Sequence, residues 1–510
     1  MKRWLISLSS VVAALAVVAS ASTAGAETCA LQLKRLGAAS GRTTGPPSDT
    51  MFRGMYPQRF YRQTGAGLPG RPEQTDEAEF AKVITTEPAA YNSKFPFRGV
   101  AKLGTQQFGF VLDSRKAADK PAADGEQEPA PAARGAREIP EPLTYSRLLF
   151  DLNRNGDLTD DPVIEAQSRG AIGYPSGYSS FSFPRVDLTV DVDGTKLEYA
   201  FLLSGYSQAQ YLNENQLYQY VSASLNAAVY REGEITLDAK PVRIVVTDYN
   251  SNGRFDDLSG VDGNTTGPDG QVYPQQGDMI YVDPQAAQGP SAFGYDATTS
   301  DVQHHLGKVL NIGGRFYDVR ITPAGDRLTL EPSSLAVGHV SNANPGYRAL
   351  VYGDQGLLKI CGDAEGRAPL PAGSWKLLMY TIDQTGRSDP DKPAAAEPSL
   401  LQVLAGALLR RDEPARPKYT MVSARAKRDG PAVEVRAGET AELRFGPSYS
   451  PQVSGSFQSG DKISLGMSLV GIGGEVCSNL MVNGGRPEKP AFTITDPDGK
   501  VVERGTFEYG

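Results

Sequence analysis

Val186-Asp-Leu-Thr-Val-Asp-Val192 places an apolar residue at every second position, breaks at Asp193-Gly194, and resumes as Leu197-Glu-Tyr-Ala-Phe-Leu-Leu203. Side chains of an extended strand point alternately to opposite faces, so this pattern fits one wet and one buried face. An Asp-Gly pair supplies the left-handed backbone of a tight hairpin. The plan recurs at Phe316–Ile321 and Leu328–Leu330 around Pro323-Ala-Gly-Asp326. It recurs again at Ala432–Arg436 with Thr440–Phe445, and at Ala491–Thr495 with Val501–Glu503. Val100–Gly104, Gln107–Asp113 and Tyr145–Phe150 read as further strands. With 55 glycines and 36 prolines the chain favours turns over long helices. The expected fold is mainly β, with several β-sandwich or barrel-like modules in tandem, the C-terminal ones Ig-like. One amphipathic helix is expected, where Leu400, Val403, Leu404, Ala407 and Leu408 share a face.

The 510 residues suffice for about three domains at ~150 residues each. Composition divides them more finely. Residues 1–26 read as a signal peptide, and 27–75, rich in Gly, Pro and Arg, as an extended N-terminal arm. A β module over 76–185 carries an acidic loop and an insert at 114–142 with almost no large apolar residue, expected to be disordered. A second module over 186–335 carries a second such loop. A β-sandwich over 336–430 and an Ig-like sandwich over 431–510 follow.

The N-terminus gives the expected address. Lys2 and Arg3 precede an apolar run from Trp4 to Val18, then small residues ending Ala24-Gly25-Ala26, with Ala19-Ser20-Ala21 as an earlier cleavage point. That order is the signature of secretory export, here to the periplasm or beyond. No later segment is apolar enough to span a bilayer, so no stable membrane insertion is expected. A formal net charge of −8, with no basic run longer than Lys34-Arg35 or Arg410-Arg411, argues against nucleic acid as a partner. Three cysteines, Cys29, Cys361 and Cys477, allow one disulfide and one free thiol in an oxidising space.

Two segments match at an offset of 97 residues: Asp151-Leu-Asn153-Arg-Asn155-Gly156-Asp157-Leu158-Thr-Asp160 and Asp248-Tyr-Asn250-Ser-Asn252-Gly253-Arg254-Phe255-Asp-Asp257. Calcium takes roughly six to eight oxygens, which a loop delivers from alternate positions. The expected ligands are the side chains of Asp151, Asn153, Asn155 and Asp160, with the carbonyl of Asp157. In the second loop they are Asp248, Asn250, Asn252 and Asp257, with the carbonyl of Arg254. Gly156 and Gly253 permit the reversal, and Leu158 and Phe255 anchor the loops. Two asparagines per site lower its charge, so the expected affinity is that of extracellular modules, roughly 10⁻⁴–10⁻³ M. A third strand, Gly277–Asp283, has the same lead-in without the following ligands and reads as a degenerate copy.

These loops resemble those of EF-hands and dockerin modules over about 11 residues each. They depart from them at position twelve, Pro162 or Ser259, and in having strands as flanks. Leu149–Asp161, Arg231–Asp238, Leu310–Tyr317 and Gly505–Gly510 also resemble poorly characterised secreted bacterial multidomain β-proteins. That resemblance implies an exported β-rich protein and no particular activity.

Catalytic signatures are missing. There are three histidines, of which His304 and His305 are adjacent and face opposite sides of any strand. No zinc helix, nucleophile elbow or phosphate loop occurs. The expected function is that of an exported calcium-binding structural or interaction protein of the cell envelope, leaning away from an enzyme, whose partner is an envelope or extracellular protein or glycan. Two alternatives stay open: an envelope enzyme acting on glycans with paired carboxylates, and carbohydrate binding by the aromatics between Tyr174 and Tyr230.

Overall fold

In the computed structural model of the chain, described residues are 25–37, 50–64, 77–93, 95–114, 144–169, 178–213, 216–262, 266–267, 270–284, 298, 300–385, 420–457 and 463–509. Residues 1–24 of the expected signal peptide, the run 115–142 of the expected insert and the helix expected over Leu400–Leu408 lie outside them. Strand makes up 57% of the structure, and among the described residues the one α-helix is Glu77–Val83. The strands form several separate antiparallel sheets, consistent with tandem β modules.

The Asp-Gly hairpin forms as expected. Val186–Val192 pairs with Thr195–Phe201, and Asp193 and Gly194 take positive φ of 51° and 85°. The second strand of this hairpin continues as Thr195–Asn213, pairing onward with Gln216–Ala227 and Tyr178–Ser182. Phe97–Leu103 and Gln106–Asp113 form a second hairpin, extended by Arg147–Phe150. A five-stranded sheet runs Gln303–His305, Met279–Val282, Lys240–Thr247, Val229–Leu237, Gln32–Arg35. A four-stranded sheet runs Glu27–Ala30, Arg327–Pro332, Arg315–Ile321, Val309–Ile312.

One core joins these four sheets, from Cys29 and Leu31 through Phe110, Phe150, Phe201 and Val245 to Leu330. It runs across residue 185, so the chain on either side packs together. The buried Arg231 guanidinium sits between sheets, donating to the carbonyls of Leu31 and Ala324. The start of the expected arm is extended but not loose. Its residues 27–30 and 32–35 are strands laid on residues 327–330 and 229–232.

A second core gathers Val340, Tyr347, Trp375, Tyr380 and Phe445. Above it lies an eight-stranded sheet that takes chain from both sides of residue 430. Ala432–Val435 and Thr440–Glu442 do not form the hairpin expected of them. The first pairs with residues 373–376, the second lies parallel to residues 339–341 in the facing sheet. The residues between them cross from one sheet to the other, where the main chain of residues 438–439 bonds to Val337 and His339. The hairpin Ala491–Thr495 with Val501–Thr506 forms as expected. All three cysteines are free thiols, so the expected disulfide is not formed.

Candidate metal centre

Each loop continues a buried strand. Arg147–Phe150 leads into Asp151, and Lys240–Thr247 into Asp248. These carboxylates are 1% and 0% exposed and organise their loops identically. Asp151 accepts the amides of Asn155 and Gly156 at 3.2 and 3.0 Å. Asp248 accepts those of Asn252 and Gly253 at 3.0 and 2.7 Å. The fourth and sixth residues are left-handed in both: Arg154 and Gly156 at φ 61° and 79°, Ser251 and Gly253 at 62° and 81°. The Asn155 and Asn252 side-chain oxygens accept the amides two residues on, at 2.8 and 2.9 Å. Their Nδ2 atoms donate to Asp160 and Asp257 at 2.6 and 2.7 Å. The internal repeat read from the sequence is therefore a structural repeat in most of its bonds; it breaks at the third position, where Asn153 Oδ1 accepts the amide of Asn155 at 2.9 Å and Asn250 Oδ1 has no partner.

The first loop docks on the residues after the helix, where the carbonyl of Gly156 accepts the amides of Thr85 and Thr86. The second docks on the turn at Gly104, whose amide donates to the carbonyl of Asn252 at 2.7 Å. Leu158 and Phe255, 1% and 0% exposed, anchor the loops as expected. The side chains of Asp157 and Arg254 face elsewhere: Asp157 caps Thr159, and Arg254 pairs with Asp256 and Asp193. Only their carbonyls remain as candidate ligands, the role the sequence assigns them.

Two carboxylates absent from the expected ligand set complete the loops. Asp161 accepts the amide of Leu152 at 3.1 Å. In the second loop the equivalent amide, of Tyr249, goes to Asp278 at 3.1 Å, and Asp278 also accepts the amide of Asp257 at 2.9 Å. Asp278 thus does from a separate strand what Asp161 does from within its own loop. Its signal lay in the Gly277–Asp283 lead-in, whose acid serves its neighbour rather than a third loop. Buried Tyr199 adds a hydroxyl donor to Asp248.

Burial raises the pKa of Asp151, Asp248 and Asp278, and pushes Asp161 up to about 6. Neighbouring acids raise them further. Buried carboxyl groups this close together hold a proton or a cation. Among the described residues no three His, Cys, Asp or Glu side chains gather closely enough to hold a metal by themselves. The loops offer instead mixed carboxylate, carboxamide and carbonyl oxygens, the donor types a hard cation takes. Asn250 Oδ1 fits that set: it is buried and has no hydrogen-bond partner. The Nδ2 atoms of Asn153 and Asn155 now face Asp160, and those of Asn250 and Asn252 face Asp257.

No protein-family model, no curated protein and no solved structure matches the chain. The likeness to known calcium loops rests on the residues of the loops themselves.

The remaining candidates fall out differently. His304 and His305 are both buried, and the His305 ring bonds Ser259 at 3.1 Å. Of the aromatic cluster, Phe181, Phe183, Tyr218 and Tyr230 are core residues. Tyr178, Tyr206 and Tyr220 form a half-buried row with ring centroids 4.9 and 5.8 Å apart. Tyr174 lies outside the described residues.

Proposed function

We propose that both loops bind calcium and that the protein is an exported, calcium-stabilised structural or interaction protein of the cell envelope. The carrying observation is Asn250 Oδ1, a buried acceptor left unpaired at one of the five expected ligand positions of the second loop, whose build the first loop largely repeats. Leaving such an atom unpaired costs about 1–3 kcal/mol, which a bound cation recovers. The ion's role is structural. Each loop ties the end of a strand to a neighbouring element, so occupancy stiffens the junctions between sheets. In this reading the C-terminal sheets are Ig-like sandwiches for spacing or attachment, and the partner is an envelope or extracellular protein or glycan.

The test is a thermal melt with calcium and with chelator, alongside elemental analysis of the purified chain. At free calcium about 100 times the dissociation constant, each site adds about 2.7 kcal/mol. The expected result is two ions per chain and a melting temperature that chelator lowers. Identical melts with no bound ion would refute it.

The tyrosine row favours a second reading, carbohydrate binding. Tyr178 and Tyr206 border a cavity of about 350 Å³ with Ser180, Ser182 and Ser204, an arrangement of ring faces and hydroxyls suited to sugars. Glycan-array binding lost in Tyr206→Ala supports it; no binding to any glycan removes it.

A further inference from the structure

Ser450–Phe457 forms one outer edge of the eight-stranded sheet, and all eight of its residues are exposed. Its pairing with Ile463–Val470 sorts the side chains by face. Pro451, Val453, Gly455 and Phe457 lie opposite Leu469, Met467, Leu465 and Ile463. Serines, Gln452 and Gly466 fill most of the other face. The ribbon is thus apolar on one side and polar on the other. Neither strand carries an ionisable side chain, in a chain of net charge −8. Val453, Phe457 and Ile463 are 61%, 87% and 55% exposed. Across an open cavity of about 840 Å³ the apolar face looks toward the hairpin of Phe492 and Phe507 and the flanking Arg486–Glu488 and Tyr509.

Sheet edges are ordinarily guarded by charge, a bulge or proline. Within Ser450–Phe457 the guard is Pro451. A proline sits in a ladder where its nitrogen faces away from the neighbouring strand. By the two-residue period, the main-chain donors and acceptors of Val453, Gly455 and Phe457 also face outward. We propose that this edge pairs with the same edge of a second copy, antiparallel, about a two-fold axis at Gly455. Gly455 then meets Gly455 of the other copy, and each Val453 meets the other Phe457.

Three features favour a second copy as the occupant. An antiparallel strand is its own complement, since reversing it presents the same donors and acceptors. With the axis at Gly455 the new ladder runs from Val453 to Phe457, so Pro451 and its missing N–H fall outside it. The strip is uncharged, so two acidic chains meet there without like charges in contact. Pairing also lays each Phe457 over a Val453, covering the two most exposed apolar side chains of the edge.

The experiment is sedimentation of the full chain over a concentration series, with circular dichroism to confirm folding of each variant. The expected species is a dimer. Val453→Lys and Phe457→Glu, at exposed positions, weaken dimerisation at least about tenfold through unpaired charge at the junction. Gln452→Lys, on the polar face, leaves a dimer. In a Cys361→Ser background, Gly455→Cys gives a covalent dimer on oxidation, because paired backbones there stand about 5.5 Å apart. A Cβ at Gly455 makes only ordinary contacts, at 3.6 Å or more, so the variant folds. A monomer at every concentration overturns the proposal, whatever covers the edge. So does a dimer indifferent to both charged variants, or one that Gly455→Cys fails to cross-link.

Discussion

The Tyr199 hydroxyl donates to Asp248 Oδ2 at 2.6 Å, and both side chains are wholly buried. Tyr199 belongs to the long strand Thr195–Asn213, so this bond pins the second loop to a different sheet. Removing the donor leaves a buried carboxyl with one partner fewer, a loss of about 1–3 kcal/mol. Tyr199→Phe is therefore expected to lower stability by that amount in urea unfolding. Ions per chain should stay at two, because the hydroxyl is not a ligand.

Asp161 and Asp278 hold corresponding amides in the two loops. Groups that position a metal's ligands commonly change affinity 10–100-fold when altered. Asp278→Asn should weaken the second site by about that factor and leave the first intact. Asp161→Asn should do the reverse. Calorimetric titration with calcium reads both, and loss of both sites in either variant would show the loops are not independent.

Gly253 and Gly194 both have φ near 80°, 81° and 85°. A Cβ at Gly194 meets nothing within 4 Å, whereas at Gly253 it would stand 2.7 Å from the amide nitrogen of Gly104. Gly194→Ala should cost only the backbone penalty, about 1–2 kcal/mol. Gly253→Ala should cost clearly more, since the second loop must lift off the turn at Gly104. Equal losses in denaturant melts would mean that this docking contributes little.

Burial, with Lys359 and Arg425 nearby, lowers the pKa of His305 to about 4. An unfolded histidine titrates near 6.5. Between those values the unfolded chain takes up a proton that the folded chain refuses. Stability is therefore full above about 6.5 and falls as pH drops toward 4. At pH 5 the single group accounts for about 2 kcal/mol. His305→Asn should flatten the fall in unfolding free energy between pH 7.5 and 5 by that amount; an unchanged slope would exclude His305 as its source.

What the sequence disclosed was local. Alternation around Asp193-Gly194 marked a hairpin because both strands and their turn lie within a few residues of one another. The loops were legible because most of their bonds join residues two to seven apart, as from Asn155 to Asp160. Asp278 was opaque: it reaches Tyr249 across 29 residues, and neither position carries a spacing signal for the other. The strands at 432–435 and 440–442 looked like a hairpin locally. Burial of Val435 in one layer and Leu443 and Phe445 nearby separated them instead, because each strand found a better-placed edge. Nothing near Cys29 announces that its strand belongs beside Leu328.

That last pairing sets an order of assembly. Polypeptides are made from the N-terminus, so Glu27–Ala30 waits through some three hundred residues of synthesis before Arg327–Leu330 exists to receive it. Until then Glu27–Ala30 lacks its strand partner, although the neighbouring Gln32–Arg35 can already lie on residues 229–232, so the two halves of this stretch are fastened at different times. A ribosome product truncated before residue 327 would hold the stretch at Gln32–Arg35 and leave only its first strand untied.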